Sequence, residues 1–439
     1  MISNRPVTKR VFVFAARLLG GAAFLLAALH PGAASGAVVR LETLEAAAAP
    51  LRGGAEDAHV AAAAADVDLA RSAYLPTIAL TADASVAPGG RLVRVTDTAG
   101  DEYLVPGSRT IGETGALVPE GRYGAGLSVQ QKIYDFGRTA ATVRAAEAQV
   151  RSARADGEAA RVGRVRAVRA AYLKWLAAWT TAGIARRERD DAHARRDALA
   201  GRVAEGVRPT SELAGVDVRL TTTELEVLRA EGDVESARLE VESAAGTTLA
   251  ADASPDESLL DRAPPAGRGA ETPELDALEG QRAAALETAR AASLGRAPVV
   301  TTTAEAGVRG QTDQVFPVYR VAVSVVVPIW DGGAQSARGA SARAHASELA
   351  ARGRELRGQH KLARTRAEAD LQNAGARILV ARKLVELTER LARDAEDRFR
   401  LGDGPAEAVL EARANRARAE RELVGAKLAR ADAMLRLKD

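Results

Sequence analysis

The chain has 439 residues, of which 47% are hydrophobic and only 3% aromatic, with alanine, leucine and valine making up most of the hydrophobic share. Sequence that is rich in Ala, Arg and Glu but poor in large side chains favours long, closely packed helices over a bulky globular core. The chain contains no cysteine, which excludes disulfide bridges, thiolate metal ligands, a thiol nucleophile and a lipid on an N-terminal cysteine.

Residues 1–37 have the organisation of a secretory signal peptide. The basic residues at the start are Arg5, Lys9 and Arg10. They precede the apolar stretch Leu18–Leu29, which is too short to span a bilayer, and the small residues Ser35–Ala37, which resemble a cleavage site. A short membrane anchor is the alternative. Without this leader the formal charge falls from +3 to −1, which leaves no electrostatic footprint for nucleic-acid binding.

The rest of the chain contains a long internal repeat. The segment Gln131–Gly137 is similar to Val327–Gly333, and the segment Arg202–Pro209 is similar to Arg398–Pro405. Both pairs are separated by 196 residues, so the two motifs keep the same register in both copies. A repeat of this length predicts two copies of one structural unit.

Proline and glycine positions predict the domain boundaries. Pro76 and Pro298 are related by a larger offset of 222 residues, so the first copy carries 26 extra residues, which we assign to a long loop at 88–121 with a small hairpin inside it. The proline-rich stretch 246–273 is predicted as a linker. The expected units are the signal peptide 1–37, a first repeat at 38–245 that begins with a helix, the linker, and a second repeat at 274–439.

Each copy contains two segments in which apolar and polar residues alternate, which predicts half-buried strands. The predicted strands are ~77–87, ~122–133, ~299–309 and ~318–328. Each has about 10 residues, the length of a tilted membrane-crossing strand. The apolar face would meet lipid, and the polar face, with Lys132, Glu305, Arg309 and Arg320, would line a water-filled lumen. A soluble two-sheet domain is the alternative.

The number of strands predicts an oligomer. Four strands cannot close a barrel, because the smallest barrels have about eight, and lipid does not tolerate open sheet edges. A membrane barrel built from this chain must therefore be shared between subunits, and three chains would supply 12 strands.

Two proline-free spans predict unusually long helices. The spans ~139–205 and ~334–401 would each form a helix about 100 Å long, followed by a glycine-containing turn and a returning helix at ~212–245 or ~406–437. The first returning helix has apolar residues at the 3–4 spacing of a coiled-coil seam. A coiled-coil rod without a channel is the alternative, but it leaves the four strands unexplained.

Polar residues at the junctions predict structural roles and no chemistry. Asp135 and Asp331 are expected to cap the long helices, in turns that also contain Gly137 and Gly333. The histidines after the leader are scattered, and no nucleophile elbow, zinc motif or phosphate loop occurs. We therefore predict neither an enzyme, nor a cofactor, nor a metal site.

Together these motifs resemble the outer membrane efflux protein family, the TolC-like exit ducts. The motifs are a strand that opens after proline, a hydrophobic-Asp-x-Gly turn into a long helix, and an aromatic-x-x-Gly helix tip. They are found here at Tyr74–Pro76 and Ala297–Pro298, at Ile133–Gly137 and Pro328–Gly333, and at Phe399–Gly402. No single motif is specific, but their order, duplication and spacing are.

The resemblance implies a mixed α/β membrane protein: a homotrimer with a 12-stranded barrel in the outer membrane of a Gram-negative-type bacterium, continued by an α-helical barrel across the periplasm. It implies that the helix tips dock a periplasmic adaptor (membrane fusion) protein and an inner-membrane transporter. The tip residues are Gly206, Val207, Arg208, Pro209, Gly402, Asp403, Gly404 and Pro405.

In the family, acidic residues after the second tip narrow the periplasmic mouth. The matching positions here are Glu411 and, as a departure from the pattern, Ala408, for which Glu407 and Asp403 are the candidate substitutes. The expected function is the channel subunit of a tripartite efflux or type I secretion system, a passive conduit to the exterior. The alternative is a periplasmic coiled-coil adaptor or structural envelope protein without a channel.

Overall fold

The computed structural model describes residues 38–49, 54–88, 92–96, 102–106, 119–261, 272–311 and 314–438; the leader predicted at 1–37 lies outside these ranges. Within them the chain is mostly helical, and its largest sheet has four antiparallel strands. Two of these strands are each followed in the chain by one of the two longest helices. This agrees with the mixed α/β class expected from the sequence. None of the helices in these ranges is long and apolar enough to cross a membrane.

Both halves of the chain contain a helix, two strands of the main sheet, a long helix and a returning helix, in that order. The first half consists of β1 (Val38–Val39), α1 (Leu41–Ala48), α2 (Gly54–Ser72), β2 (Thr77–Pro88), β3 (Leu92–Thr96), β4 (Glu102–Pro106), β5 (Pro119–Tyr134), α3 (Arg138–Ala204) and α4 (Thr210–Ala245). The second consists of β6 (Ser254–Pro255), α5 (Pro273–Ser293), β7 (Val299–Gln311), β8 (Gln314–Val326), α6 (Ala334–Leu401) and α7 (Ala406–Lys438).

The main sheet has the strand order β2-β5-β7-β8, and all of its neighbours are antiparallel. The register is continuous except for an irregularity between Lys132 and Tyr134, at the end of β5 nearest α3. The stretch 88–121, predicted as a long loop, is described in part, and there β3 and β4 pair as an antiparallel hairpin separate from the main sheet.

The two longest helices have 67 residues in α3 and 68 in α6, which corresponds to about 100 Å each. The seam predicted on α4 faces α3: its buried residues include Val216, Thr223, Val227, Ala237 and Val241.

Small residues let helix axes approach closely. On α5, a Cβ at Gly280 would meet the backbone of Ser152. This short helix, absent from the sequence prediction, contacts both α3 and α6.

The largest apolar core lies partway along α3, far from the sheet. Trp175, Tyr172 and Leu176 are fully buried there, packed against α1, α4 and the end of α7. The Tyr172 hydroxyl donates to Val39 O at 2.9 Å and accepts from the Asp256 backbone N–H at 2.8 Å, which ties the β1–β6 pair to α3. We call this core the belt.

The stretch 246–273, predicted as a linker, is described at 246–261 and 272–273, and it packs against the rest of the chain there. Ser254–Pro255 pairs in parallel with Val38–Val39, Leu260 is buried in the belt, and Pro273 begins α5. Pro255 at a strand edge and Pro273 at a helix N-terminus fit ordered backbone, because those positions need no amide donor.

Candidate functional site

The four residues predicted to line a lumen share the polar face of the sheet. Glu305 and Arg320 lie opposite each other on β7 and β8, and Arg320 Nη2 donates to Glu305 Oε2 at 2.7 Å. Arg309 is on the same face, farther along β7. Lys132 lies near the helical end of β5, with its Nζ 3.7 Å from the Asp135 carboxylate. The face is therefore charged along its length, with both signs present.

The opposite face of the sheet is apolar and uncovered. Its register forms rows across all four strands, such as Ile78, Val129, Ala304 and Val321, or Leu80, Leu127, Ala306 and Tyr319. Tyr319 is 85% exposed and Leu80 is 79% exposed. In the described chain the edge strands β2 and β8 each have one neighbour in this sheet. A large apolar face with open edges indicates contact with lipid or protein.

The two strand–helix turns have nearly the same backbone. Gly137 and Gly333 adopt positive φ angles of 88° and 85°, where glycine has no steric penalty. In the first turn the backbone N–H groups of Gly137 and Thr139 donate to the Asp135 carboxylate at 3.2 and 2.9 Å. Asp331 accepts the two corresponding bonds in the second turn, at 3.1 and 2.9 Å. Both aspartates therefore act as the helix-capping groups that the sequence suggested.

The two helix tips also repeat their backbone. Gly206 and Gly402 have φ angles of 73° and 85°, and each is followed by a residue whose N–H donates back to the helix. Val207 donates to Arg202 O at 2.9 Å, and Asp403 donates to Arg398 O at 3.0 Å. This bond pattern closes helices at left-handed glycines. Val207 and Leu401 are exposed apolar residues at the tips.

A contact between the two tips was not predicted from the sequence. Arg208 leaves the first tip, and its Nη2 donates to Gly404 O at 2.8 Å and to Gly402 O at 3.3 Å. Arg202 Nη1 donates to Phe399 O at 2.9 Å. The one available signal was that Arg208 stands where the second repeat has glycine. We call Arg202, Arg208 and Phe399 the tip clamp.

An ion network joins α3, α6 and α7 about one to three turns from the tips. Glu396 on α6 accepts from Arg195 on α3 and from Arg413 on α7, each at 2.6 Å, and Arg413 also contacts Asp191. Burial alone would raise the pKa of Glu396, but the hydrogen bonds and charges of the two arginines outweigh it and lower that pKa to about 2. The carboxylate is therefore charged at every physiological pH.

The constriction candidates Glu407 and Glu411 lie on the first turns of α7 and are exposed. They line a groove between α7 and α4 together with Ser211, Gly215 and Val218. Their spacing of four residues places both carboxylates on one side of the helix. Pro209 and Pro405 directly precede the returning helices at the tips.

Histidines and acids do not gather into a metal site in the part of the chain that the structure describes. Instead, His193, His345 and His360 each lie within about 3.3 Å of one glutamate, on three separate helix surfaces.

Comparison with known proteins supports the resemblance noted in the sequence. Residues 54–247 match the sequence model of the outer membrane efflux protein family. The match covers α2, the first two strands of the main sheet, the hairpin, α3 and α4. No curated protein matches the sequence.

Solved outer-membrane proteins share the fold over nearly the whole chain. The outer-membrane channel OprN is 20% identical, with a TM-score of 0.73 over 90% of this chain and 88% of that one. CusC, whose structures concern transmembrane channel formation, is 15% identical, with a TM-score of 0.76 over 90% of both chains. VceC of Vibrio cholerae is 18% identical, with a TM-score of 0.71 over 91% and 94%.

Proposed function

We infer that this chain is a member of the outer membrane efflux protein family and serves as an outer-membrane channel subunit of a tripartite efflux or type I secretion system. The observation that carries this inference is the family match over residues 54–247. The fold shared with outer-membrane channels over about nine-tenths of the chain supports it. The channel is a passive conduit, and the energy for export comes from its partners.

We propose that three copies form the channel. The main sheet supplies four strands per chain and has open edges at β2 and β8. Because open edges are not tolerated in lipid, copies would join edge to edge into a 12-stranded barrel. The uncovered apolar face would then meet lipid, and the face with Lys132, Glu305, Arg309 and Arg320 would line the lumen. Three copies of α3, α4, α6 and α7 would form the helical barrel across the periplasm.

We propose further that the tips receive the partners. The tips are the part of the chain farthest from the sheet along α3 and α6, so a sheet in the outer membrane would place them deep in the periplasm. Val207 and Leu401 offer exposed apolar surface there. A periplasmic adaptor and an inner-membrane transporter are the expected partners, with Glu407 and Glu411 narrowing the mouth that the tips surround.

The main test is the assembly state and conductance of the purified protein. The mature chain, purified in detergent, should have the mass of a trimer by light scattering and should conduct ions in a planar bilayer. A stable monomer without conductance would overturn the proposal. Fractionation tests the alternative: a periplasmic adaptor or structural protein would not behave as an integral outer-membrane protein, and it would have no use for an uncovered apolar sheet face.

A second test concerns docking at the tips. Gly206→Val together with Gly402→Val should impair export by cells that carry the cognate pump and leave outer-membrane insertion intact, because valine is strained at positive φ. Gly425→Ala is the matched control, since Gly425 lies within helix α7 with open space around it. Undiminished export by the double variant would argue against docking at these turns.

A further inference from the structure

The tip clamp joins the two halves of the chain where they would otherwise end separately. The carbonyl group of Phe399 lies in the last turn of α6, where it accepts the Gly402 N–H at 3.1 Å, and those of Gly402 and Gly404 lie in the turn that follows the helix. Arg202 and Arg208, both from the other half of the chain, donate to all three of them. Cations are favoured at helix C-termini, because the helix dipole places partial negative charge there.

The side chain of Phe399 is the second component of the clamp. It is 3% exposed and packs with Leu199, Val216 and Val409, which come from three different helices. The guanidinium carbon of Arg202 lies 4.4 Å from the ring centroid of Phe399, and that of Arg208 lies 5.7 Å from it. Both distances are within the range of cation–π attraction.

The contacts of the tip clamp are asymmetric, because only the first tip supplies the arginines. The repeat offset places Val203 at the position of Phe399, Arg398 at that of Arg202, and Gly404 at that of Arg208. Arg398 does not reach the first tip: its Nη2 lies 3.0 Å from Asp394 on its own helix, and its side chain is largely exposed. Two tips with nearly the same backbone therefore have different tasks, since one supplies the cations and the other the carbonyl groups and the ring.

We propose that Arg202 and Arg208 are positioning residues that fix the distance between the two tips, so that a partner meets one composite surface with Val207 and Leu401 at a set spacing. The role of the fixed distance in docking rests on the proposed function. The fixed distance itself does not, because it depends on contacts within the chain. Without the two arginines, the α3–α4 and α6–α7 hairpins would still be joined by the packing around Phe399 and by the Glu396 network, but the distance between the turns at their ends would vary more.

The absence of cysteine makes a direct distance measurement possible. Cysteines are introduced at Val207 and Leu401, both exposed, and are spin-labelled in the full mature chain purified in detergent. Excess unlabelled chain is mixed in before assembly, so that only distances within one chain contribute. Double electron–electron resonance then gives the distribution of the distance between the tips.

We expect one narrow distribution for the labelled parent and at least a doubling of its width when Arg202→Gln and Arg208→Gln are combined. Arg398→Gln, at the repeat position of Arg202, should leave the distribution unchanged. The Tm and the mass of the assembly should stay at parental values in all variants, because the belt lies far from the tips. An unchanged width in the double variant would overturn the clamp, whereas failure of the channel proposal would appear as a monomer without conductance.

Discussion

The two strand–helix turns have nearly the same backbone but are built from different residues. The first reads Asp135-Phe136-Gly137 and the second Asp331-Gly332-Gly333, and the middle residues have φ angles of 56° and 66°. Left-handed backbone costs a side-chain-bearing residue about 1 kcal/mol or more, and glycine does not incur this cost. In the first turn the ring of Phe136 packs edge-on against Tyr134, with centroids 4.7 Å apart, and this contact offsets part of the strain.

The same lesson holds at the tips. Duplication has kept the glycines that close the helices, but each copy carries different side chains around them. Phe399 and Arg208 have no counterpart of the same type in the other repeat. The two copies therefore share their backbone, whereas the contacts that Phe399 and Arg208 make with the other half of the chain have no equivalent in the other copy. Variants at equivalent positions of the two copies therefore distinguish effects of the shared backbone from effects of side-chain contacts that only one copy has.

The largest effect is expected at the equivalent positions Phe399 and Val203. Phe399→Ala should destabilise the tip by about 3–4 kcal/mol, because it empties a buried site in a small core. Val203→Ala should cost about 1 kcal/mol, since Val203 is only half-buried. Hydrogen exchange of peptides from the ends of α3 and α6 measures the difference. Equal protection in the two variants would contradict an asymmetric tip.

The next effect concerns Glu396, whose repeat position is Ala200. Removing the charge of Glu396 from a mostly buried ion network leaves two arginines without their shared carboxylate, and we expect Glu396→Gln to cost about 2–3 kcal/mol near neutral pH. Because the folded-state pKa is lowered from 4.5 to about 2, the stabilisation is present above about pH 4.5 and is lost as the pH falls toward 2.

The measurement for Glu396 is hydrogen exchange in the tip half of α6 and α7 at pH 7 and at pH 3. The difference between the parent and the Gln variant should shrink at the lower pH. Glu407→Gln is the control, because Glu407 is exposed and lies outside the network. A difference that is the same at both pH values would show that the charge of Glu396 does not stabilise this region.

A smaller difference separates the two capping aspartates. Asp135→Ala should cost about 2 kcal/mol, and Asp331→Ala should cost less. Asp135 is 7% exposed and accepts an additional bond from the Thr139 hydroxyl, with Lys132 nearby, whereas proline stands at the Lys132 position in the second copy. The Tm of the purified protein is the measurement. A larger loss for Asp331→Ala would refute the role given to Lys132 and Thr139.

The smallest expected effect is an increase in the stability of the folded protein. Phe136→Gly should relieve the left-handed strain and stabilise the folded turn by about 0.5–1 kcal/mol, reduced by the lost contact with Tyr134 and by the greater freedom of glycine in the unfolded chain. Gly332→Ala should have the opposite sign. The two changes in Tm, compared directly, show whether Phe136 is retained at a cost to stability. A loss in the first variant would mean that the ring contact outweighs the strain.

The parts of the fold that the sequence predicts well are those that depend on local pattern. Proline-free spans mark α3 and α6, alternation marks the main-sheet strands, and the glycines at 206 and 402 mark the turns where φ is positive. The seam on α4 is visible because coiled-coil packing repeats along one helix. These features follow from backbone sterics and periodicity, which act within a few residues.

The features that were missed depend on contacts between distant residues. Tyr172 looks like an ordinary helix residue in the sequence, but its hydroxyl bonds to Val39, near the start of the first half, and to Asp256, in the stretch 246–273. Arg208 reads as one more surface arginine in a chain with many. Its carbonyl partners belong to a turn 194 or more residues away, and no local pattern identifies such a partner.

The position of the belt makes the long helix α3 a lever. From Trp175 in the belt to Ala204 at the end of α3 is 29 residues, or about 44 Å of helix. A tilt of about 5° around the belt would therefore move the tips by about 4 Å, with hardly any displacement of the packed aromatic residues at the pivot. In the proposed trimer, a tilt of a few degrees around the belt would change the width of the opening between the tips by the diameter of a water molecule or more.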